Sequence, residues 1–191
     1  MSTFDRSLLL AEPEVVARRL LGSQLVRTID GQQLRGRIVE VEAYKQTDPA
    51  SHSYRGKTAR SEVMFGPAGH LYVYFTYGMH YCCNVVVGPE GYGAGLLIRA
   101  VEPLEGEDQM LLLRRGRGQY ELTNGPGKVC QALAIDKTSN GHDLEQPPIS
   151  LEFLPPLADD QIVQTTRIGI TKAVDEPWRF YIRNNPYVSK P

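Results

Sequence analysis

The stretch HLYVYFTYGMHYCCNVVV, residues 70–87, alternates too regularly for a helix. With a period of two, Leu71, Val73 and Phe75 fall on one face of a strand. Tyr72, Tyr74 and Thr76 fall on the other. Gly78 breaks the run, and residues 82–87 read as a second, more apolar strand. The segment is therefore a β-hairpin, with Tyr77 and Met79 at its tip. One face supplies core. The other concentrates flat rings with polar edges, which a core does not need.

Composition narrows the classes. A chain of 191 residues is long enough to bury one core without covalent staples. Cys82, Cys83 and Cys130 are odd in number and lack C-x-x-C spacing. That argues against a disulfide framework or a four-ligand zinc site, and it suits a reducing cytosol. The N-terminal stretch MSTFDRSLLLAEPEVVARRLLG has an early acid and too short an apolar run for a signal peptide. No stretch approaches a membrane span. A net charge of −1 and a pI near 6.4 count mildly against nucleic-acid binding. The cations are nonetheless clustered, Arg55, Lys57 and Arg60 in one run and Arg114, Arg115 and Arg117 in another.

Along the chain, AEPEVVARRLLG reads as a helix opened near Pro13 and ended at Gly22. Asp30-Gly31 marks a tight turn between two strands. Residues 45–69 form a long polar excursion of the kind that carries function or is disordered. AGLLIRAVEP reads as a strand, GEDQMLLLRRG as a short helix, and NGPGKVCQALAI as a loop entering a helix. ISLEFL, TTRIGIT and PWRFYIR close the chain as strands. The expected architecture is a single α+β domain built on antiparallel strands.

In GRIVEVEAYK the alternation puts Ile38, Glu40, Glu42 and Tyr44 on one side, and Arg37, Val39, Val41 and Ala43 on the other. Two carboxylates and a ring on one face describe either a solvated strand surface or a general base beside an aromatic wall. Arg99 shares its face with Leu97 and Val101, and a buried guanidinium needs an anion, Glu42 or Glu40. Asn84 is a lone amide among apolar neighbours and must be hydrogen-bonded to the fold or to a ligand. His52 lies in the polar excursion. Lys128 follows Pro126 at a helix start, a place suited to phosphate. It is no Walker A loop, since Leu122 and Val129 occupy two of the required positions. These residues alone describe a polar, aromatic cleft, with a hydrolase as one possible use.

Together, RIVEVEAY followed by ASHS, then LYVYFTYGMHYCCN, LLIRAVEPLEG, GPGKVCQALAID, RIGI, PWRFYI and PYVS resemble the alkyladenine (3-methyladenine) DNA glycosylase family of mammals and many bacteria. The likeness runs in order from about residue 5 to the C-terminus. It implies a curved antiparallel sheet, roll-like or an open barrel, with surrounding helices and a protruding β-hairpin. It also implies base-excision repair by base flipping, in which a damaged purine is extruded and its N-glycosidic bond hydrolysed. On this resemblance Glu42 matches the general base and Arg99 a partner that helps hold the attacking water. Tyr44, His52 and Tyr74 match residues that sandwich the flipped base, and Tyr72 supports that wall. Asn84 matches the amide that disfavours a guanine-type amino group. Tyr77 matches the side chain that fills the vacated stack, with Met79 and Lys128 as further DNA contacts.

The resemblance further implies a monofunctional enzyme without metal or organic cofactor. Its partner is double-stranded DNA containing damaged purines, and it acts as a monomer away from membranes. The chain starts near the family's core, without the long basic extension of mammalian members, which implies a prokaryotic, cytoplasmic and nucleoid-associated protein. Two other readings carry different expectations. A non-catalytic DNA- or RNA-binding module has no use for both Glu42 and Arg99. A glycosidase of free nucleosides has no use for Tyr77 and Met79 at a hairpin tip.

Overall fold

A computed structural model describes residues 4–190; Met1 to Thr3 of the N-terminal stretch lie outside the described residues. The fold is organised by one long strand. Strand β1 (Gln24–Ile29) turns at Asp30 and Gly31, both with positive φ (48° and 82°), into β2 (Gln32–Tyr44). That pair of left-handed residues is what a two-residue hairpin with native twist requires. At about 3.3 Å per residue, β2 spans roughly 40 Å, enough to serve several partners. Its first half pairs with β1, and residues 35–44 pair with β5 (Gly95–Glu105). Past the end of β1, residues 40–42 pair instead with β8 (Arg179–Ile182).

The sheet continues through β4 (His80–Val86) to β3 (Leu71–Thr76) on one side and from β1 to β6 (Ile149–Glu152) on the other. Strand β7 (Ile162–Thr165) pairs with β8. All eight strands pair antiparallel in a curled half-barrel, and the class is α+β as expected. Helix α1 (Pro13–Leu20) opens on Pro13, whose fixed φ suits the first turn, and buries Val16, Ala17 and Leu20. Helices α2 (Glu107–Leu113) and α3 (Pro126–Ala132) add Met110, Val129 and Cys130 to the same core. Among the described residues no helix is long and apolar enough to cross a membrane.

The core runs along one face of the sheet through Leu34, Ile38, Val41, Ala43, Leu71, Val73, Leu96, Ile98 and Val101. Two faces differ from those the alternation predicts. Ile38 pairs with Val101 and Val41 with Ile98, but between them Glu40 pairs with Ala100. Val39 and Arg99 are each an extra residue, one bulge on each strand. The bulges cancel in register but reverse the alternation. Ile38 therefore joins the core rather than the face of Glu40, Glu42 and Tyr44, and Val39 packs on the far side with Ala100, Tyr187 and Val188. Arg99 keeps Leu97 beside it but not Val101, which lies in the core. Bulges commonly re-aim a side chain next to a site, and here the side chain is Arg99.

The expected strand over TTRIGIT is also displaced: pairing covers Ile162–Thr165 and stops before Arg167. Arg167 is buried with its guanidinium bonded to Asp48 and the Ala43 carbonyl, the next backbone N–H, that of Ile168, goes to Glu42, and Gly169 takes a φ of +74°. The polar excursion is ordered by its own hydrogen bonds. Ser51 Oγ meets Ser53 Oγ at 2.7 Å, Ser53 Oγ donates to Gly93 O at 2.7 Å, and a 3-10 turn covers Glu62–Phe65.

Candidate active site

Strand β3 divides as its pattern requires. Leu71 and Val73 enter the core, but Phe75, expected with them, is half exposed beyond the core's edge and meets Tyr81, while Tyr72 and Tyr74 face a cavity of about 530 Å³. The two rings stack at 5.5 Å between centroids and 28° between planes. His52 closes the corner: its ring meets Tyr74 edge-on at 4.6 Å, and its Nδ1 lies 2.9 Å from the Tyr72 hydroxyl. On β4, Asn84 sits opposite Tyr72 and donates from Nδ2 to the Tyr72 carbonyl at 3.2 Å, so one half of its amide is held by the fold. Tyr44, Arg99 and Tyr77 complete the expected residues that line this cavity.

Tyr77 is 80% exposed and holds a φ of +52°, a left-handed conformation that non-glycine residues adopt rarely. Met79 is also exposed, but it faces a neighbouring hollow with His80 and Arg115 rather than the cavity. Lys128 stands in a groove that Tyr77 shares, near Arg114 and Arg117, and donates to Asn124 Oδ1 at 2.7 Å. These two belong to the surface around the cavity.

Glu42 lies behind the wall, with no exposed surface. Its Oε1 accepts the Ile168 backbone N–H at 2.8 Å and lies 3.3 Å from Arg99 Nη1. Its Oε2 accepts the Tyr44 hydroxyl at 2.8 Å. Glu40 is occupied differently. It accepts Arg99 Nε at 3.0 Å, Arg179 Nε at 2.7 Å, and the Ser189 N–H and hydroxyl at 2.7 and 2.9 Å. Glu40 is thus a saturated anchor, and Glu42 is the carboxylate whose partners line the cavity. Arg99 bridges them, so the choice between Glu40 and Glu42 as its partner resolves to both.

The wall carries neutral groups. Burial raises the Tyr72 phenol against the charge and hydrogen bond of Arg60, and burial and the charge of Glu42 raise Tyr44 well above the usual range. Tyr74 rises through burial and its contact with Cys82, whose own thiol burial pushes up to about 11. Burial pulls the Arg99 guanidinium down, but Glu42 and then Glu40 outweigh it, and the net shift is upward. Burial and the Arg60 cation lower His52 to about 4, although the residue keeps substantial exposure and solvent screens part of that effect.

An unfolded histidine takes up its proton near pH 6.5, and the folded one only near about 4. The unfolded state therefore binds more protons between these values, and stability is lost as pH falls through that window. His52→Gln is expected to lose less stability than the wild type between pH 6.5 and 4. Urea midpoints at several pH values measure it, and parallel curves would show that His52 is protonated alike in both states.

Three neighbours were not singled out as site residues from the chain. Ile168 contributes a backbone N–H, which no side-chain pattern reveals. Arg60, noted only as part of a cation cluster, lies over the Tyr74 ring at 5.7 Å. Arg167 lies over the Tyr44 ring at 4.6 Å, and a lone arginine in an apolar alternating run was its signal, as it was for Arg99.

Geometry alone leaves open which ring such a slot accepts. The family model described as methylpurine-DNA glycosylase (MPG) matches residues 7–186. This chain belongs to the methylpurine-DNA glycosylase family. A relative from Carboxydothermus hydrogenoformans, named "Putative 3-methyladenine DNA glycosylase", is 56% identical over 177 residues, which cover 92% of this chain and 93% of the relative. Proteins of the same name from Methanoculleus marisnigri and Bacillus cytotoxicus are 51% and 47% identical, covering 92% of this chain and 92% and 93% of theirs. The methylpurine-DNA glycosylase match takes in both walls of the cavity, from Tyr44 to the segment after Arg167.

Proposed function

We propose that this chain is a monofunctional base-excision repair glycosylase that flips an alkylated or deaminated purine out of duplex DNA and hydrolyses its N-glycosidic bond. The observation that carries the reading is an aromatic slot whose far wall is backed by a buried carboxylate–arginine pair and whose mouth carries an exposed tyrosine. In this reading Glu42 takes a proton from water as the oxygen attacks the sugar C1′, and the C1′–N bond electrons leave with the base. The carboxylate also stabilises the oxocarbenium-like centre, as in glycoside hydrolases. Arg99 orients Glu42 and the water. Tyr44, His52 and Tyr74 stack on the purine, Tyr72 holds His52, and Asn84 meets the edge of the base.

Neutral rings suit this cargo. An alkylated purine already carries positive charge and leaves readily, so the slot favours it by stacking and cation–π attraction rather than by an anion. Met79 accompanies Tyr77 at the hairpin tip, and Lys128 and the nearby arginines contact the DNA backbone. The whole span acts as one glycosylase domain, as a monomer, in the cytoplasm and on the nucleoid.

The test is single-turnover release of base from duplexes carrying 3-methyladenine, hypoxanthine or ethenoadenine, followed by alkali. Strand breaks that appear only after alkali are the expected result. Breaks without alkali would point to Lys172, an exposed lysine lining the cavity, as a Schiff-base nucleophile. Binding of damaged duplex with no release from any lesion would favour the non-catalytic module.

Tyr77→Ala tests the wedge. Stacking is worth about 1–3 kcal/mol per base, so the variant is expected to bind an ethenoadenine duplex about 5- to 150-fold more weakly. Fluorescence titration of the ethenoadenine reads this directly, and unchanged affinity removes the role.

A further inference from the structure

Buried ion pairs add little to folding, because desolvation offsets most of their attraction, and apolar replacements are often neutral or stabilising. The pair between Arg167 and Asp48 therefore calls for another account. Both side chains have no exposed surface. Both guanidinium Nη atoms bond Asp48, Nη2 to Oδ1 at 3.1 Å, and Nη1 also donates to the Ala43 carbonyl at 3.0 Å. The guanidinium lies 4.6 Å from the Tyr44 ring centroid and 5.0 Å from that of Trp178. Its Nε is buried with no partner among the described residues, so the stability of this arrangement is not optimal.

Three parts of the site meet at this pair. Tyr44 is backed by the guanidinium. Asp48 folds the turn that leads to His52, accepting the Ala50 N–H at 2.9 Å on Oδ1 and the Ser51 N–H at 2.9 Å on its carbonyl. On the other side, the residue following Arg167 supplies the N–H that meets Glu42 Oε1 at 2.8 Å, a shorter contact than that of Arg99 at 3.3 Å. Neither Arg167 nor Asp48 lines the cavity.

We propose that Arg167 and Asp48 are a positioning pair for excision: one buried ionic contact fixes Tyr44, the His52 turn and the backbone N–H that aims Glu42. This rests on the reading of Glu42 as the base. Misplacing a reacting group by about 1 Å costs up to about 100-fold in rate, which sets the size of the expected effect.

Arg167→Lys keeps the cation but loses the forked contact and the flat face, and Asp48→Asn keeps the shape but loses the charge. For each variant we would measure thermal melting, the single-turnover excision rate constant, the amplitude of that turnover, and affinity for a duplex with a tetrahydrofuran abasic analogue. The expected result is a rate constant about 10- to 100-fold lower, with amplitude and affinity close to wild type. A structural role moves different readouts. If amplitude falls while the surviving fraction excises at the wild-type rate, or if neither variant folds, the pair serves folding and the proposal is overturned. Glu42→Gln is the control. If it still excises, the reading of the site fails; if it is inactive while Arg167→Lys excises at the wild-type rate, only the positioning pair fails.

Discussion

Glu42→Gln is expected to slow excision of a damaged purine by about 10²–10⁴-fold, the range for losing a general base, while leaving affinity for the same duplex within about twofold. The geometry supports the second half as firmly as the first. A glutamine oxygen can still accept the Ile168 N–H, and its NH₂ can donate to the Tyr44 oxygen where the carboxylate now accepts. Glu40 remains to balance Arg99, so the buried cation is not left alone. The change thus removes proton acceptance and charge, not shape. Single-turnover release and filter binding on one lesion duplex decide it. A parallel loss of binding would make Glu42 a structural partner of Arg99, and full activity would place the base elsewhere.

Arg99→Leu has the largest expected effect on folding. Removing one member of a buried pair leaves uncompensated charge and typically costs about 3–5 kcal/mol. Glu40 keeps Arg179 and Ser189, and Glu42 keeps Tyr44 and Ile168, so the lower end of that range applies here. For a chain of this size about 3 kcal/mol lowers the melting midpoint by roughly 6–12 °C. Excision should fall at temperatures where the variant is still folded, since Glu42 loses its nearest cation. Calorimetry and excision on the same sample test both parts. An unshifted midpoint would show that Arg99 contributes no net folding energy.

The parts of the fold set by local chemistry were legible from the residues. Asp30-Gly31 announced its turn, Pro13 its helix, and the alternation over Leu71–Thr76 its two faces. The site was half legible for the same reason: a lone arginine, a lone amide and a row of tyrosines are local anomalies. The faces around Val39 and Arg99 were not legible, because a bulge belongs to a pair of strands and one strand's period cannot reveal it. The strand expected over TTRIGIT failed for a related reason. Its backbone has the right pattern but its hydrogen bonds go elsewhere, Ile168 N–H to Glu42 among them. Family resemblance supplied the assignment of roles, which local chemistry could not.

The neutral wall of the cavity has a practical consequence for kinetics. Burial pushes the titration of His52 down to about 4 and that of Cys82 up to about 11, and Tyr44, Tyr72 and Tyr74 are raised above their ordinary values. Across the neutral range Cys82 and the three tyrosines neither gain nor lose charge, so each is a spectator in a rate profile. Any limb observed there belongs to other groups, the leaving purine among them. A limb owned by the purine should therefore move when profiles are collected with purines of different basicity.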